Sequence, residues 1–250
     1  MKTNYHTHTT WCDGRDTPQA VIDVAIAKGF DELGFSSHVD MLKDFDAYVA
    51  DIAALKAAYA GRIRILCGLE SEFEQGLERR DKLDYVIGSF HFLTAPDGVR
   101  FAFDHAPQIL MDGIGDHFDG DAVEFVKAYF ASERALVALG GFDFLAHPDL
   151  VRKFNAKHPF FDEAADWYRD ELEATADAIA AAGVPVETNT GAISRGWLDD
   201  AYPSPFFRSL LRARGVRFFL NSDAHAADAL DCAFDRFGSA EEYVDLRSLP

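Results

Sequence analysis

The chain has 250 residues, 48% hydrophobic and 26% charged, the composition of an ordinary globular protein with no stretch of the kind that stays disordered. Its 24 Lys and Arg against 42 Asp and Glu give a formal net charge of -18, which repels polyanions and argues against nucleic acid or an anionic membrane as a partner. The start MKTNYHTHTT has no signal-peptide core, no run reaches the roughly 20 apolar residues of a membrane span, and Cys12, Cys67 and Cys232 form no C-x-x-C pair, so a cytoplasmic protein with reduced thiols is expected.

Residues 2–7 read as a first strand, followed by an amphipathic helix over 17–29 with Thr17-Pro18 in the cap and first-turn positions and Gly29 just past its end. A strand over 31–37, a helix over about 45–60 closed by Gly61, and strands over 63–69 and 84–89 come next. The helical period resumes over 119–139, before Gly140. After it come a strand (142–147), a helix ending at Gly183 (162–182), a strand (184–188), a helix ending at Gly215 (204–214) and a last strand (216–221). Such alternation gives an α/β fold whose parallel sheet is either open or closed. Neither G-x-G-x-x-G nor G-x-x-x-x-G-K-[ST] occurs, so the open, nucleotide-binding option lacks its usual turn and a barrel is favoured. Seven strands are found, one short of the standard barrel, in a single domain over 1–250.

Ligand-type side chains stand where these strands end: His6 and His8, His38, Glu70, His91, His147, then Asp223 with His225. In a parallel barrel all strand C-termini open on one face, so these residues converge there. His6 and His8 are two apart on a strand and point the same way, as a chelating pair must. A mixed nitrogen and oxygen set of this kind suits divalent Zn, Mn or Fe. His105, His117 and His158 read as solvated, with His105 the one placed to cover the site from a long loop. Cys67 and Cys232 read as small core residues, and Cys12, beside Asp13, is the only thiol near the chemistry.

The segments HTHTTWCD, SSHVD, GLESEF, GSFHFL, LAHPDL and NSDAH, in this order, resemble the polymerase and histidinol phosphatase (PHP) family, and VIGSFHFL, AHPDLVRKF and ETNTGAISRG resemble its histidinol-phosphatase branch. The resemblance spans residues 2 to about 235. It implies a distorted seven-stranded, TIM-like β/α barrel of PHP type holding three divalent metal ions. The first ion would be held by His6, His8, Glu70 and Asp223, the second by Glu70, His91 and His147, and the third by Asp13, His38 and His225. One departure is Ser37, where an acidic residue usually precedes the histidine; either that contact is lost or Asp40 supplies it from the other side.

Six positive charges from three ions, less the charges of Asp13, Glu70, Asp223 and a bridging hydroxide, leave about two to receive a phosphate dianion. The reaction implied is hydrolysis of L-histidinol phosphate to L-histidinol and phosphate, by attack of a hydroxide shared between metals. Arg152 and Arg195 are candidates for the phosphate, Glu187, Asp104 and Asp149 for the cationic end of the substrate, Trp11 for the pocket wall, and Asp223 or Asp40 for the proton that the leaving group needs. The alternatives are a PHP-type phosphoesterase for another small ester or nucleotide, and a non-catalytic metal-binding or metabolite-binding barrel. Carbon-nitrogen hydrolysis on a related amidohydrolase barrel is a minor option, since His91 stands where those barrels place a lysine. Oligomeric state leaves no signal in the sequence.

Overall fold

The first strand, β1 (Thr3–Asn4), is shorter than its sequence suggests because side chains replace part of its ladder. Asn4 Oδ1 accepts from the His6 amide at 3.1 Å, and Asn221 Oδ1 accepts from the Tyr5 amide at 2.8 Å. The protein is described by a computed structural model over residues 1–73, 75–237 and 243–249. Helix α1 (Pro18–Ala27) starts as expected, with Thr17 Oγ1 accepting from the Ala20 amide, and buries Val21, Ile22 and Ala25. Strand β2 (Glu32–His38), helix α2 (Phe45–Ala58), strand β3 (Arg64–Glu70) and strand β4 (Tyr85–Gly88) follow the predicted order.

The segment read as one long loop holds an antiparallel hairpin, β5 (Phe92–Thr94) and β6 (Arg100–Ala102), and then helix α3 (Pro107–His117). Helix α4 (Ala122–Leu139) begins later than its period suggests, because Asp119 and Gly120 take positive φ (52° and 78°) and break it from α3; Asp121 then caps Val123 and Glu124. Strand β7 (Phe144–Leu145), helix α5 (Asp166–Ala182), strand β8 (Val186–Asn189), the short helix α6 (Gly191–Ser194), helix α7 (Pro205–Ala213) and strand β9 (Phe218–Asn221) complete the chain. None of the described helices is long and apolar enough to cross a membrane.

Seven strands pair in parallel in the order β1-β2-β3-β4-β7-β8-β9. A further bridge between Thr7 and Ala224, with the His8 amide donating to the Ala224 carbonyl at 2.8 Å, brings the first and last segments together. The sheet is thus a nearly closed barrel with helices outside it. Its interior is filled below the mouth by Tyr5, Leu66, Tyr85, Ile87, Phe144 and Phe219. Tyr85 lies across Gly34 and Gly68, where any Cβ would come within 2.3 and 2.2 Å of it, and its hydroxyl donates to the Tyr5 carbonyl at 2.6 Å. That aromatic plug is the floor on which the polar site stands.

Candidate metal centre

Glu70, the last residue of β3, is the hub of the site. Its Oε2 lies 3.2 Å from His6 Nε2, 3.4 Å from His8 Nε2 and 3.0 Å from His38 Nδ1. Its Oε1 lies 3.1 Å from His147 Nε2 and 3.4 Å from His91 Nε2. Across from it, Asp223 Oδ1 stands 3.3 Å from His8 Nε2 and 3.7 Å from His6 Nε2. Asp13 Oδ2 is 3.1 Å from His225 Nε2, and the His8 ring is stacked between His38 and His225 at 4.3 and 4.2 Å. Both His147 (φ 24°) and Asp223 (φ 49°) take a backbone conformation that costs non-glycine residues about 1–3 kcal/mol, at strand ends where the chain turns its side chains into the mouth.

The structure brings all nine sequence-predicted ligand residues together, in four overlapping groups: His8, Asp13, His38 and His225; His6, His8 and Glu70; His6, His147 and Asp223; His38, Glu70 and His91. Three details differ from the expected sets: His8 also joins Asp13, His38 and His225, His38 also faces Glu70, and His147 groups with His6 and Asp223. The donors fit divalent metal. Buried His6 Nε2, His8 Nε2 and Glu70 Oε2 have no hydrogen-bond partner among the described residues, a cost an interior accepts only when something else satisfies them. Their separations of 3.2 and 3.4 Å match the edge of a tetrahedron, about 3.3 Å, built on bonds of about 2.05 Å.

Electrostatics point the same way. Burial would raise the Glu70 carboxyl, but His38, His6 and His91 hold it well below the usual range. Asp223 is likewise raised by burial and pulled well below by Arg195 and His6. Burial, and then His225 and His38, push His8 down to about 3, so it is neutral at pH 7, as a metal ligand must be. Burial opposes charge on His6 too, yet Glu187, Glu70 and Asp223 together raise it well above its ordinary value. Carboxylates that attract a proton there will attract a cation more strongly, and the two compete.

The rings are aimed from behind. Glu187 accepts from His6 Nδ1 at 3.0 Å and also from the His147 amide (3.1 Å), Asn189 Nδ2 (2.6 Å) and Asn221 Nδ2 (2.9 Å). Glu72 Oε2 accepts from His91 Nδ1 at 3.0 Å and from the His91 amide at 2.9 Å, while its Oε1 accepts from Arg100. Cys12 Sγ is 3.4 Å from His8 Nδ1. Such contacts fix which imidazole nitrogen faces the centre.

Above the cluster opens a cavity of about 200 Å³. Arg195, Asp104 and Asp40 line it, as the sequence suggests, and so do the exposed His105 and the unpredicted Lys153, Met41 and Phe92. Arg195 Nη2 donates to Asp223 Oδ2 at 2.8 Å, and its buried Nε has no partner among the described residues. Lys153 Nζ donates to the Asp104 carbonyl at 2.7 Å and carboxylate at 3.1 Å.

Five expectations are corrected. Arg152 points away from the mouth and donates to Glu163 at 3.0 Å, because the turn at Leu150–Arg152 rotates Lys153, not Arg152, toward the cavity. Glu187 is fully buried beneath His6 and meets no substrate. Asp149 is buried as well, accepting from the Ser204 amide at 2.7 Å. Trp11 faces outward, its Nε1 donating to Asp51 at 2.8 Å and its ring edge on Tyr48, because the turn that swings Asp13 inward swings Trp11 out. Asp223 is unsuited to donate a proton, since its carboxyl is held deprotonated by Arg195. Of the residues missed, Glu72 had a signal, a second carboxylate two places beyond Glu70 at the strand end; Lys153 had none, since only the phase of a short turn separates it from Arg152.

A model of the PHP domain matches residues 4–191. The chain belongs to the PHP domain family. Within it, a Deinococcus radiodurans protein named as a probable histidinol-phosphatase is 30% identical, over 88% of this chain and 85% of its own length. A Bacillus subtilis histidinol-phosphatase is 24% identical, over 95% and 98%. The PHP fold also superimposes on a Listeria monocytogenes crystal structure whose assignment as a histidinol phosphatase is provisional, with a TM-score of 0.84 at 19% identity over 95% of this chain and 100% of that one. A Lactococcus lactis histidinol phosphate phosphatase, solved with zinc, L-histidinol and phosphate, gives a TM-score of 0.65 at 19% identity over 90% and 87%.

Proposed function

We propose that this chain is a metal-dependent phosphomonoesterase that hydrolyses L-histidinol phosphate to L-histidinol and phosphate. One observation carries the reading: Glu70 lies with its two oxygens among five imidazoles at the base of an open cavity. The histidinol-phosphatase relatives give the substrate. Three divalent ions (Zn, Mn or Fe) would be held by His6, His8, Glu70 and Asp223; by Glu70, His91 and His147; and by Asp13, His38 and His225. Bound there, divalent ions acidify water for attack and neutralise charge on the phosphoryl oxygens.

The chain's own side chains do the rest. Arg195, anchored by Asp223, keeps a free Nε for a phosphoryl oxygen. Lys153 supplies a second positive charge, held at the mouth by Asp104. Together they give an acidic protein the local attraction for an anion that its net charge of -18 denies it. The leaving alkoxide would take its proton from water that enters at the open mouth.

The test is phosphate release by metal-reconstituted protein. L-histidinol phosphate should turn over far faster than p-nitrophenyl phosphate, and equal rates on both overturn the substrate. His91→Ala and His147→Ala should each abolish turnover with the far-UV circular dichroism unchanged; turnover surviving either change overturns the metal assignment.

A further inference from the structure

The cavity is electrically divided. Its cationic side chains, Lys153 and Arg195, stand on the side built by the segments after β7 and β8, whereas Asp40 stands opposite, in the turn Val39–Met41 that follows β2. The apolar Met41, 45% exposed and next to Asp40 in that turn, and Phe92 line the cavity as well.

The five carboxylates that line this cavity are not equivalent. Asp13, Glu70 and Asp223 belong to the metal-binding groups, and Asp104 is tied to Lys153. Asp40 alone has no hydrogen bond or ion pair among the described residues, and it is exposed. It does not bond His38 from behind, as the sequence suggested, but sits in the turn beyond that residue and lines the mouth.

We propose that Asp40 receives the ammonium group of the substrate and so sets the preference for an amino-bearing phosphate ester. The inference rests on the histidinol-phosphate reading above. In that ester the ammonium is two carbons from the ester oxygen. With the phosphoryl group over the metal cluster and against Arg195, the ammonium lies just outside the cluster. Asp40, two residues beyond His38, is the unpaired anion at that level. Met41 and Phe92 then flank the imidazole end. A carboxylate that gains an ammonium as the mouth loses water contributes more than an exposed surface pair does.

The experiment compares L-histidinol phosphate with its desamino counterpart, 3-(imidazol-4-yl)propyl phosphate, on metal-reconstituted wild type, Asp40→Asn and Asp40→Glu. Wild type should prefer the amine. Asp40→Asn should reduce the ratio of kcat/KM for the two esters by about tenfold, through KM, since one hydrogen bond between charged groups is lost. Asp40→Glu should restore most of it. An Asp40→Asn variant that changes both esters equally acts through His38 and overturns the assignment; an unchanged ratio overturns it too. A wild type that prefers histidinol phosphate to p-nitrophenyl phosphate yet ignores the amine overturns Asp40 alone. A wild type with neither preference overturns the substrate reading as well.

Discussion

A carboxylate that bonds His6 Nδ1 from below decides which nitrogen of that ring faces Glu70, and Glu187 does this while also holding the His147 amide. Glu187→Gln keeps the shape but loses the charge that polarises His6. Apparent metal affinity should fall about 10–100-fold, measured by chelator competition, with activity returning at high metal. Two arginines then separate by role. Arg195→Ala removes a group that lines the cavity and should raise KM for the phosphate ester. Arg152→Met leaves Asp149 and Glu163 without their buried cation and should instead cost roughly 3 kcal/mol of stability, with KM unchanged. Steady-state kinetics and thermal melts on the two variants distinguish these outcomes.

At the scale of elements, the turn from Thr9 to Gly14 is what carries Asp13 from the end of the first strand to His225. It closes with the Cys12 and Gly14 amides donating to the Thr9 carbonyl at 2.9 and 3.0 Å. A Cβ on Gly14 would lie 2.4 Å from the His8 and Thr9 backbone, which cannot move without moving a ligand. Gly14→Ala should therefore cost about 1–3 kcal/mol and lower both the metal-to-chain ratio by elemental analysis and turnover. The same turn shows what sequence reasoning reads and misses. The positions of His6, His8 and Asp13 follow from strand period and motif, because a barrel must gather its strand ends. The outward direction of Trp11 does not, since it depends on the phase of a few turn residues. The hairpin β5–β6 and helix α3 were hidden for a related reason. Strands of three residues leave too few alternations to stand out, and α3 carries two glycines, Gly113 and Gly115, inside its period. Gly113 is needed because Phe101 occupies the space of its side chain, a contact made only once the hairpin has folded onto the helix.

Over the whole molecule, two buried carboxylates give pH dependences of opposite sign. Glu133, in the core with Oε1 unpartnered among the described residues, is raised well above its ordinary value by burial and then by Asp149. Its neutral form is favoured on folding, so it costs stability above the unfolded value near 4.5, and the cost vanishes as pH falls to that value. Glu133→Gln should raise Tm at pH 7 by about 2–4 °C for each kcal/mol recovered, a gain that disappears toward pH 4.5. Glu32 is raised by burial but lowered overall by Tyr5, Arg64 and Arg247. Its contribution is present above its unfolded value and lost as pH falls through the lower folded one, so the Tm deficit of Glu32→Gln should be full at pH 7 and shrink in strong acid. Chelation should lower Tm as well, since ions that bind only the folded chain stabilise it by mass action. The seam between Thr7 and Ala224 sets when that stabilisation can be complete. His6, His8 and Asp13 meet Asp223 and His225 only when the two ends of the barrel are joined. During synthesis, a chain made as far as β8 carries seven of the nine ligand-type residues and lacks only Asp223 and His225. The groups that contain Asp223 and His225 are thus completed last, and an ion bound there would latch a finished barrel rather than seed an unfinished one.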